Sequence, residues 1–226
     1  MNDVNPVIVS DGTNAFVSWQ KICKKLSEET TTTKDVCENT EIYTAKYNKE
    51  TNKFENATRV TNNTCYDYAQ SIGISNGNPV IYYASCTDNN MNGTKNTDIL
   101  KFVNGSATKI LSAKNYIYSM DANRTGSKCT FIMDEDGDTS NNDDVKAYTW
   151  SNDSVSESKL DSAVMATAYI GSAEKLLLTD GNNIYEKNNG EWTPIFENVT
   201  SIVGGIKSTV VDGETILSWT QANEDG

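Results

Sequence analysis

The chain has 226 residues, enough for one all-β domain, and only 37% of them are hydrophobic. Its formal net charge is −12 and it has no basic cluster, which argues against a nucleic-acid binder, because phosphates are neutralised by Lys and Arg. The sequence has no run of 18 apolar residues, so no membrane span is predicted. The segment that begins Met1-Asn2-Asp3 does not have the basic start and apolar core of a signal peptide.

A weak internal repeat organises the chain. The segment VIVSDGTNAFVSWQ (residues 7–20) resembles STVVDGETILSWTQ (residues 208–221): each has a β-branched run, a turn with Gly, and a second run that contains Ser-Trp. Weaker copies surround Gly77, Gly126 and Gly171, so that the turn glycines are 65, 49, 45 and 42 residues apart. A period of about 40–50 residues with several short strands in each unit is typical of β-propeller blades.

The predicted strands follow this repeat in chain order, four to a unit. Unit one has strands near residues 6–10, 15–20, 41–48 and 54–61, and unit two near 66–75, 79–86, 98–105 and 107–113. Unit three has them near 115–122, 128–134, 145–151 and 154–160, and unit four near 163–171, 174–180, 183–190 and 191–199. Unit five has two, near 202–211 and 215–221. The polar insertion of unit one is expected to hold at most one or two helical turns, with a helical period at Ile22 and Leu26.

These strands predict an all-β fold: a single propeller domain or propeller segment over residues 1–226, with four complete four-stranded antiparallel blades and a partial fifth. Four units and two strands do not close a ring, and an unclosed edge invites aggregation. Three arrangements therefore stay open. Further blades follow Gly226 in a larger polypeptide, which we favour; or a truncated fifth blade closes a small ring; or another chain completes an open array.

The five cysteines bear on the cellular compartment. Cys23 and Cys37 flank a polar segment with nothing to bury, so a disulfide between them is expected, as in secreted proteins. Cys65 and Cys86 lie on neighbouring strands as a second candidate pair, and Cys129 is expected to be a buried free thiol. The alternative is that all five are reduced packing residues in a cytosolic protein. The absence of histidine and of Cys-x-x-Cys argues against a zinc site.

Two Asp- and Asn-rich segments are candidate calcium loops, because Ca²⁺ binds six to eight oxygen ligands. The segment DEDGDTSNNDD (residues 134–144) resembles the calcium loops of dockerins and of integrin-type propellers. The resemblance implies structural calcium, although Val145 stands where an EF-hand has Glu. A weaker copy, DNNMNGTKNTD, covers residues 88–98 in the matching place of unit two. The candidate ligands are Asp134, Asp136, Asp138, Asn142 and Asp144 in the first loop and Asp88, Asn90, Asn92, Asn96 and Asp98 in the second.

The long loops of units one to three all join the second strand to the third, so they are expected on one face of the propeller. Trp19, Tyr83 and Trp219 lie near the ends of second strands beside that face and are candidates for an aromatic platform that binds a sugar or a peptide. The alternative is that these aromatic side chains pack between blades.

Catalysis has thin support in the sequence. Without histidine, a Ser-His-Asp or Cys-His nucleophile is excluded. Paired carboxylates remain, as in glycoside hydrolases, and the predicted innermost strands carry Asp11, Asp67, Asp121 and Asp212, mostly at their ends.

The chain resembles extracellular bacterial β-propeller repeat proteins in general. The resemblance implies a non-catalytic secreted or cell-surface binding or adhesion module, stabilised by calcium, with a carbohydrate or an extracellular protein as partner. The alternatives are a glycoside hydrolase with carboxylates in the central funnel, and a structural spacer of a large surface protein.

Overall fold

The structure, a computed structural model, describes residues 3–27, 31–87, 96–113, 115–134, 145–171, 174–199 and 201–222. It is an all-β protein of four-stranded antiparallel sheets, as the repeat predicts. Among the described residues there is one short helix, and no helix is long and apolar enough to cross a membrane.

The strands form five sheets, or blades, each built from consecutive strands. Blade 1 contains β1 (Asp3–Ser10), β2 (Ala15–Ile22), β3 (Thr40–Asn48) and β4 (Lys53–Arg59). Blade 2 contains β5 (Tyr66–Ser75), β6 (Asn78–Cys86), β7 (Thr97–Val103) and β8 (Ser106–Ala113). Blade 3 contains β9 (Ile117–Ala122), β10 (Lys128–Asp134), β11 (Val145–Ser151) and β12 (Ser154–Ser158). Blade 4 contains β13 (Ala166–Ile170), β14 (Lys175–Thr179), β15 (Ile184–Asn188) and β16 (Glu191–Phe196). Blade 5, as described, is the hairpin of β17 (Ile202–Val211) and β18 (Glu214–Gln221).

The helix lies in the insertion of blade 1, but later than the sequence suggested. Ile22 continues β2 by pairing with Thr40, so the segment with the helical period starts as strand. The helix α1 (Thr33–Glu38) begins instead where the Thr32 side chain accepts a bond from the Asp35 amide and the Asp35 carboxylate accepts one from the Thr32 amide. This capping box fixes the start of the helix.

The hydrophobic core is divided into layers between successive blades. Between blades 1 and 2, Phe16 and Ile42 pack with Ile72 and Ile81. Tyr82 and Ile99 of blade 2 meet Phe131 of blade 3 in the next layer. The third layer joins Ile132 to Leu178, and the fourth joins Leu177 to Ile206. Each sheet therefore buries both faces except in blades 1 and 5, where Ile8 is 63% exposed and Ile216 is 51% exposed.

The first strand of every blade is the innermost one. The strands β1, β5, β9, β13 and β17 pack one after another in chain order, and residues of all five line one central cavity. At one end of that cavity the first strand of each blade turns back into the second, through Gly12, Gly77, Gly126, Gly171 and Gly213. We call this end the turn face. The opposite end, where second strands lead into third strands, is the loop face.

Candidate functional site

The central cavity has a volume of about 570 Å³ and lies at the turn face. Its wall is made by residues in the C-terminal halves of the first strands, among them Val9, Ser71, Asp121, Tyr169 and Ser208. Its rim is made by the turns that follow. The charged residues that line it are Asp11, Asp121, Arg124, Glu174, Lys207 and Asp212. Three of the four inner-strand acids considered from the sequence thus converge on one space.

Asp121 is the carboxylate set into the wall. Thr167 of blade 4 donates a hydrogen bond to Asp121 Oδ2, and Lys207 Nζ of blade 5 lies 3.9 Å from Asp121 Oδ1. Burial raises the pKa of Asp121, while Lys207 and Thr167 oppose that shift by stabilising the charge. The Asp121 side chain is still 21% exposed, so a molecule in the cavity can reach it.

The turn that carries Arg124 is held by both neighbouring blades. On the side of blade 2, the Ile74 amide donates to the Arg124 carbonyl at 2.7 Å and the Tyr82 hydroxyl donates to the Gly126 carbonyl at 2.7 Å. On the side of blade 4, Glu174 Oε1 accepts a bond from the Thr125 amide at 3.1 Å. The turn therefore has a fixed position on the rim.

Asp11 and Glu174 use their oxygens for local structure. Asp11 Oδ1 accepts bonds from the Thr13 and Asn14 amides at 2.8 Å and 2.6 Å, and these bonds lower the pKa of Asp11. Glu174 Oε2 accepts a bond from Asn123 Nδ2 at 2.6 Å. Both acids thus brace turns.

Asp67, the fourth inner-strand acid, lies elsewhere. It is fully buried between blades 1 and 2, where its carbonyl accepts a bond from Gln20 Nε2 at 3.0 Å. Burial raises the pKa of Asp67 to about 6, and the nearby Glu41 carboxylate adds to the shift. Glu41 itself is paired with Arg59 Nη2 at 2.6 Å.

The first predicted calcium loop begins at the end of β10, on the loop face. Asp134 is 1% exposed, and its carbonyl accepts a bond from Asn115 Nδ2 at 2.8 Å. The other candidate ligands of this loop, Asp136, Asp138, Asn142 and Asp144, lie outside the described residues.

The second predicted loop is described only at its end. Asp98 accepts a bond from Ser112 Oγ at 2.6 Å and lies 3.3 Å from Lys109 Nζ, and the Asn96 carbonyl is 3.4 Å from the Thr87 amide. Asp88, Asn90 and Asn92 lie outside the described residues. In the described part of the chain no group of three or more Cys, Asp or Glu side chains could hold a metal ion. Calcium in these loops stays a prediction.

The predicted aromatic platform is divided among different surroundings. Tyr83 is 4% exposed and packs in the layer between blades 1 and 2, so its ring is core. Trp19 lies in a groove of about 390 Å³ with Val4 and Phe54 on the open face of blade 1, and its Nε1 donates to Asp3 Oδ1 at 2.9 Å. Trp219 packs against Phe196, with the two ring centroids 5.3 Å apart, on the side of blade 5 that faces blade 4.

All five cysteines lie in the described ranges and are free thiols in the structure, so the expected disulfide between Cys23 and Cys37 is not formed there. Cys23 Sγ lies 3.5 Å from the Tyr43 hydroxyl, whereas Cys37 is fully buried. Cys129 was expected to be a buried free thiol, and in the structure it is fully buried and free.

Sequence reasoning missed Arg124, Thr167, Glu174 and Lys207. One signal was present: the chain has 17 lysines but only two arginines, Arg59 and Arg124. Arg59 is paired with the buried carboxylate of Glu41, so the role of Arg124 is the one that the sequence leaves open.

No protein-family model matches the sequence, and no curated protein matches it either. Solved structures do match the fold. A sialidase of Trypanosoma rangeli in complex with 2,3-difluorosialic acid aligns with a TM-score of 0.61 and 11% identity, over 96% of this chain and 43% of that one. The acylaminoacyl peptidase of Pyrococcus horikoshii aligns with a TM-score of 0.59 and 13% identity, over 96% and 38%. TolB of Acinetobacter baumannii aligns with a TM-score of 0.53 and 15% identity, over 97% and 52%.

These similarities define the class: the chain has a β-propeller-type fold. At such low identity they establish the fold and nothing of the activity. The chain spans between 38% and 52% of the length of these three proteins.

Proposed function

We propose that this chain is a carbohydrate-binding propeller whose ligand site is the central cavity at the turn face. The observation that carries the proposal is the pair of Asp121 and Lys207, whose charged atoms lie 3.9 Å apart across the cavity wall. That distance is too long for a direct hydrogen bond. A ligand hydroxyl between them would donate to the carboxylate and accept from the ammonium, which an alkyl group cannot do.

The size of the cavity supports a small ligand. At about 570 Å³ it falls within the range of about 300–1,000 Å³ typical of small-molecule sites. The lining also includes the apolar residues Ile8 and Val210, which are both partly exposed. A pyranose ring has both polar and apolar surface. The solved sialidase that shares the fold is in complex with a sialic acid derivative, which supports a sugar as the class of ligand.

Binding fits the carboxylates better than hydrolysis does. Glycoside hydrolysis needs two carboxylates free to act on the glycosidic bond. Asp11 and Glu174 are engaged by backbone amides and by Asn123, and the hydroxyl of Tyr169 shares a hydrogen bond with Thr130 Oγ1 at 2.8 Å. Burial raises the pKa of Tyr169, which disfavours the phenolate that a nucleophile would need.

Glycoside hydrolysis stays the second candidate because of Asp121 itself. A carboxyl group whose pKa is raised by burial is suited to act as a general acid, and Asp212 on the rim would have to supply the second carboxylate. Release of 4-nitrophenol from 4-nitrophenyl glycosides, lost in both Asp121→Asn and Asp212→Asn, would establish this second function. No release above buffer would exclude it for those substrates.

We propose a secreted or cell-surface location for this binding module, as the turn-rich, acidic composition suggests. A carbohydrate is the favoured partner and an extracellular protein is the alternative. A glycan array probed with the intact chain would separate the two partner classes.

The binding proposal is tested on the same array. Asp121→Asn and Lys207→Met are expected to lose the array signal, because each removes one of the two charged partners of the hydroxyl. The exposed Asp161→Asn serves as a matched control and should keep it. Equal signals from the wild type and both cavity variants would contradict the proposal.

A further inference from the structure

We infer that the sugar bound in the central cavity carries a carboxylate and that Arg124 binds it. The inference rests on the proposed function and narrows the ligand to acidic saccharides such as uronic acids. The inference follows from which hydrogen-bond acceptors and donors around the cavity are already engaged by the protein and which are not.

The acceptors on the rim are largely consumed by the protein. Both oxygens of Glu174 and Oδ1 of Asp11 accept bonds from the turns they brace. Asp121 Oδ2 accepts from Thr167. Of the rim carboxylates, Asp212 alone has no hydrogen bond to another described residue.

The donors, in contrast, are less engaged by the described residues. The Arg124 guanidinium is exposed and forms no hydrogen bond or ion pair with a described residue, although it lines a cavity that contains four acids. Lys207 is 73% exposed, and its ion pair with Asp121 is long. A ligand group that binds Arg124 must therefore supply an acceptor.

An arginine at this place favours a carboxylate over a neutral acceptor. The guanidinium presents parallel N–H groups that match the two oxygens of a carboxylate, which a lysine ammonium does not. The chain uses lysine for 17 of its 19 basic residues and arginine for two. The other arginine, Arg59, already binds a carboxylate, that of Glu41, at 2.6 Å.

The backbone of the turn that carries Arg124 is fixed by hydrogen bonds. The Arg124 carbonyl is bound by Ile74, and Tyr82 and Glu174 fix the residues that follow it. Within the turn, Asn123 is fully buried and its Oδ1 accepts from the Lys128 amide at 2.8 Å. Because the backbone of the turn is already fixed, a ligand that binds Arg124 has to order only the side chain.

The acids around the cavity weaken its affinity for an acidic sugar. Asp11 and Asp212 on the rim and Asp121 in the wall oppose an anionic ligand, whereas Lys207 and Arg124 attract it. Asp212→Asn should therefore strengthen binding of an acidic sugar and leave a neutral sugar unchanged.

Isothermal titration with glucuronic acid and glucose tests the inference. We expect the wild type to bind glucuronic acid at least about tenfold more tightly than glucose, as a charge-assisted bidentate pair gives. Arg124→Gln should remove this difference, and Arg124→Lys should restore only part of it. Lys128 is an exposed cation at the start of β10, directly after the same turn but outside the cavity lining, so Lys128→Gln is the matched control and should behave as the wild type.

The outcomes separate the two proposals. Equal affinity for both sugars, unchanged in Arg124→Gln, would overturn the inference and leave carbohydrate binding intact. A preference for glucuronic acid that Lys128→Gln abolishes as fully as Arg124→Gln would also overturn it, since general attraction would then be the cause. Binding of neither sugar, with no signal on the glycan array, would overturn the proposed function together with the inference.

Discussion

Gly73 and Gly126 bring the backbones of two neighbouring blades into contact: a Cβ atom on Gly73 would lie 2.4 Å from the Gly126 amide nitrogen. No side chain fits in that space. The contact lets the Ile74 amide reach the Arg124 carbonyl and lets the Tyr82 hydroxyl reach the Gly126 carbonyl. The absence of a side chain at Gly73 therefore determines the position of Arg124 on the rim.

Gly73→Ala is expected to destabilise the fold by about 3 kcal/mol, because the added methyl group meets backbone that cannot rotate away. Urea unfolding measures the loss. Gly105→Ala is the control: its added Cβ meets nothing within 4 Å, and only its φ of +82° is unfavourable, at about 1 kcal/mol. Equal losses in the two variants would mean that the blades separate easily at this contact.

Asp67 should make stability depend on pH in an unusual direction. Its pKa is about 6 in the folded protein against 3.8 for the unperturbed group, so the folded state favours the protonated form. The stabilisation from this group is complete below about pH 4 and is lost as the pH rises through 6, by at most about 3 kcal/mol.

Asp67→Asn imitates the protonated form at every pH. Relative to the wild type, the variant should be equally stable at pH 4 and more stable at pH 7.5, as read from urea unfolding at a series of pH values. Asp161→Asn, an exposed acid, is the control and should show no such divergence. A difference between Asp67→Asn and the wild type that is constant from pH 4 to 7.5 would refute this account of the buried carboxyl group.

The free thiols of the structure predict an order of alkylation. Cys23 and Cys65 are half-buried, and burial raises the pKa of Cys65, so iodoacetamide at pH 8 should label Cys23 first and Cys65 more slowly. Cys37, Cys86 and Cys129 are buried and should react only after unfolding. Mass spectrometry of tryptic peptides gives the order. Failure of Cys23 to react before a reductant is added would instead support the disulfide with Cys37 that the sequence suggests.

Calcium in the loop of residues 134–144 predicts a rise in thermal midpoint. If the ion binds the folded chain, 1 mM CaCl₂ should raise the midpoint by roughly 5 °C over EDTA, since saturation a hundredfold above the dissociation constant adds about 2.7 kcal/mol. Asp138→Asn should reduce this increment, and Mg²⁺ should replace Ca²⁺ poorly. Identical midpoints in CaCl₂ and EDTA would remove the calcium prediction.

The blades could be read from the sequence because their signals are local. Alternating side chains mark a strand, and Gly12 or Gly213 marks the turn that joins two of them. The helix was placed too early since a helical period at Ile22 competes with strand pairing to Thr40, which only the folded sheet reveals. Tyr83 was a candidate for the aromatic platform, with packing between blades as the alternative. Its strand lies between two blades and buries both faces, so Tyr83 is 4% exposed and its neighbours Ile81 and Tyr82 are fully buried.

The cavity could not be read in the same way. Asp121, Thr167 and Lys207 come from three blades and are joined by tertiary structure alone. No spacing in the chain encodes their approach. The four inner-strand acids could be listed, but the burial of Asp67 away from the other three depends on how blade 1 packs on blade 2.

The most direct test of a turn-face binding site is a titration of ¹⁵N-labelled protein with glucuronic acid, followed by two-dimensional NMR. We predict saturable shifts in the amides of Asp121, Arg124, Thr167 and Lys207, with the loop face unchanged. Saturable shifts confined to the surroundings of Trp19 and the loop face, with the cavity amides unmoved, would contradict the assignment of the site.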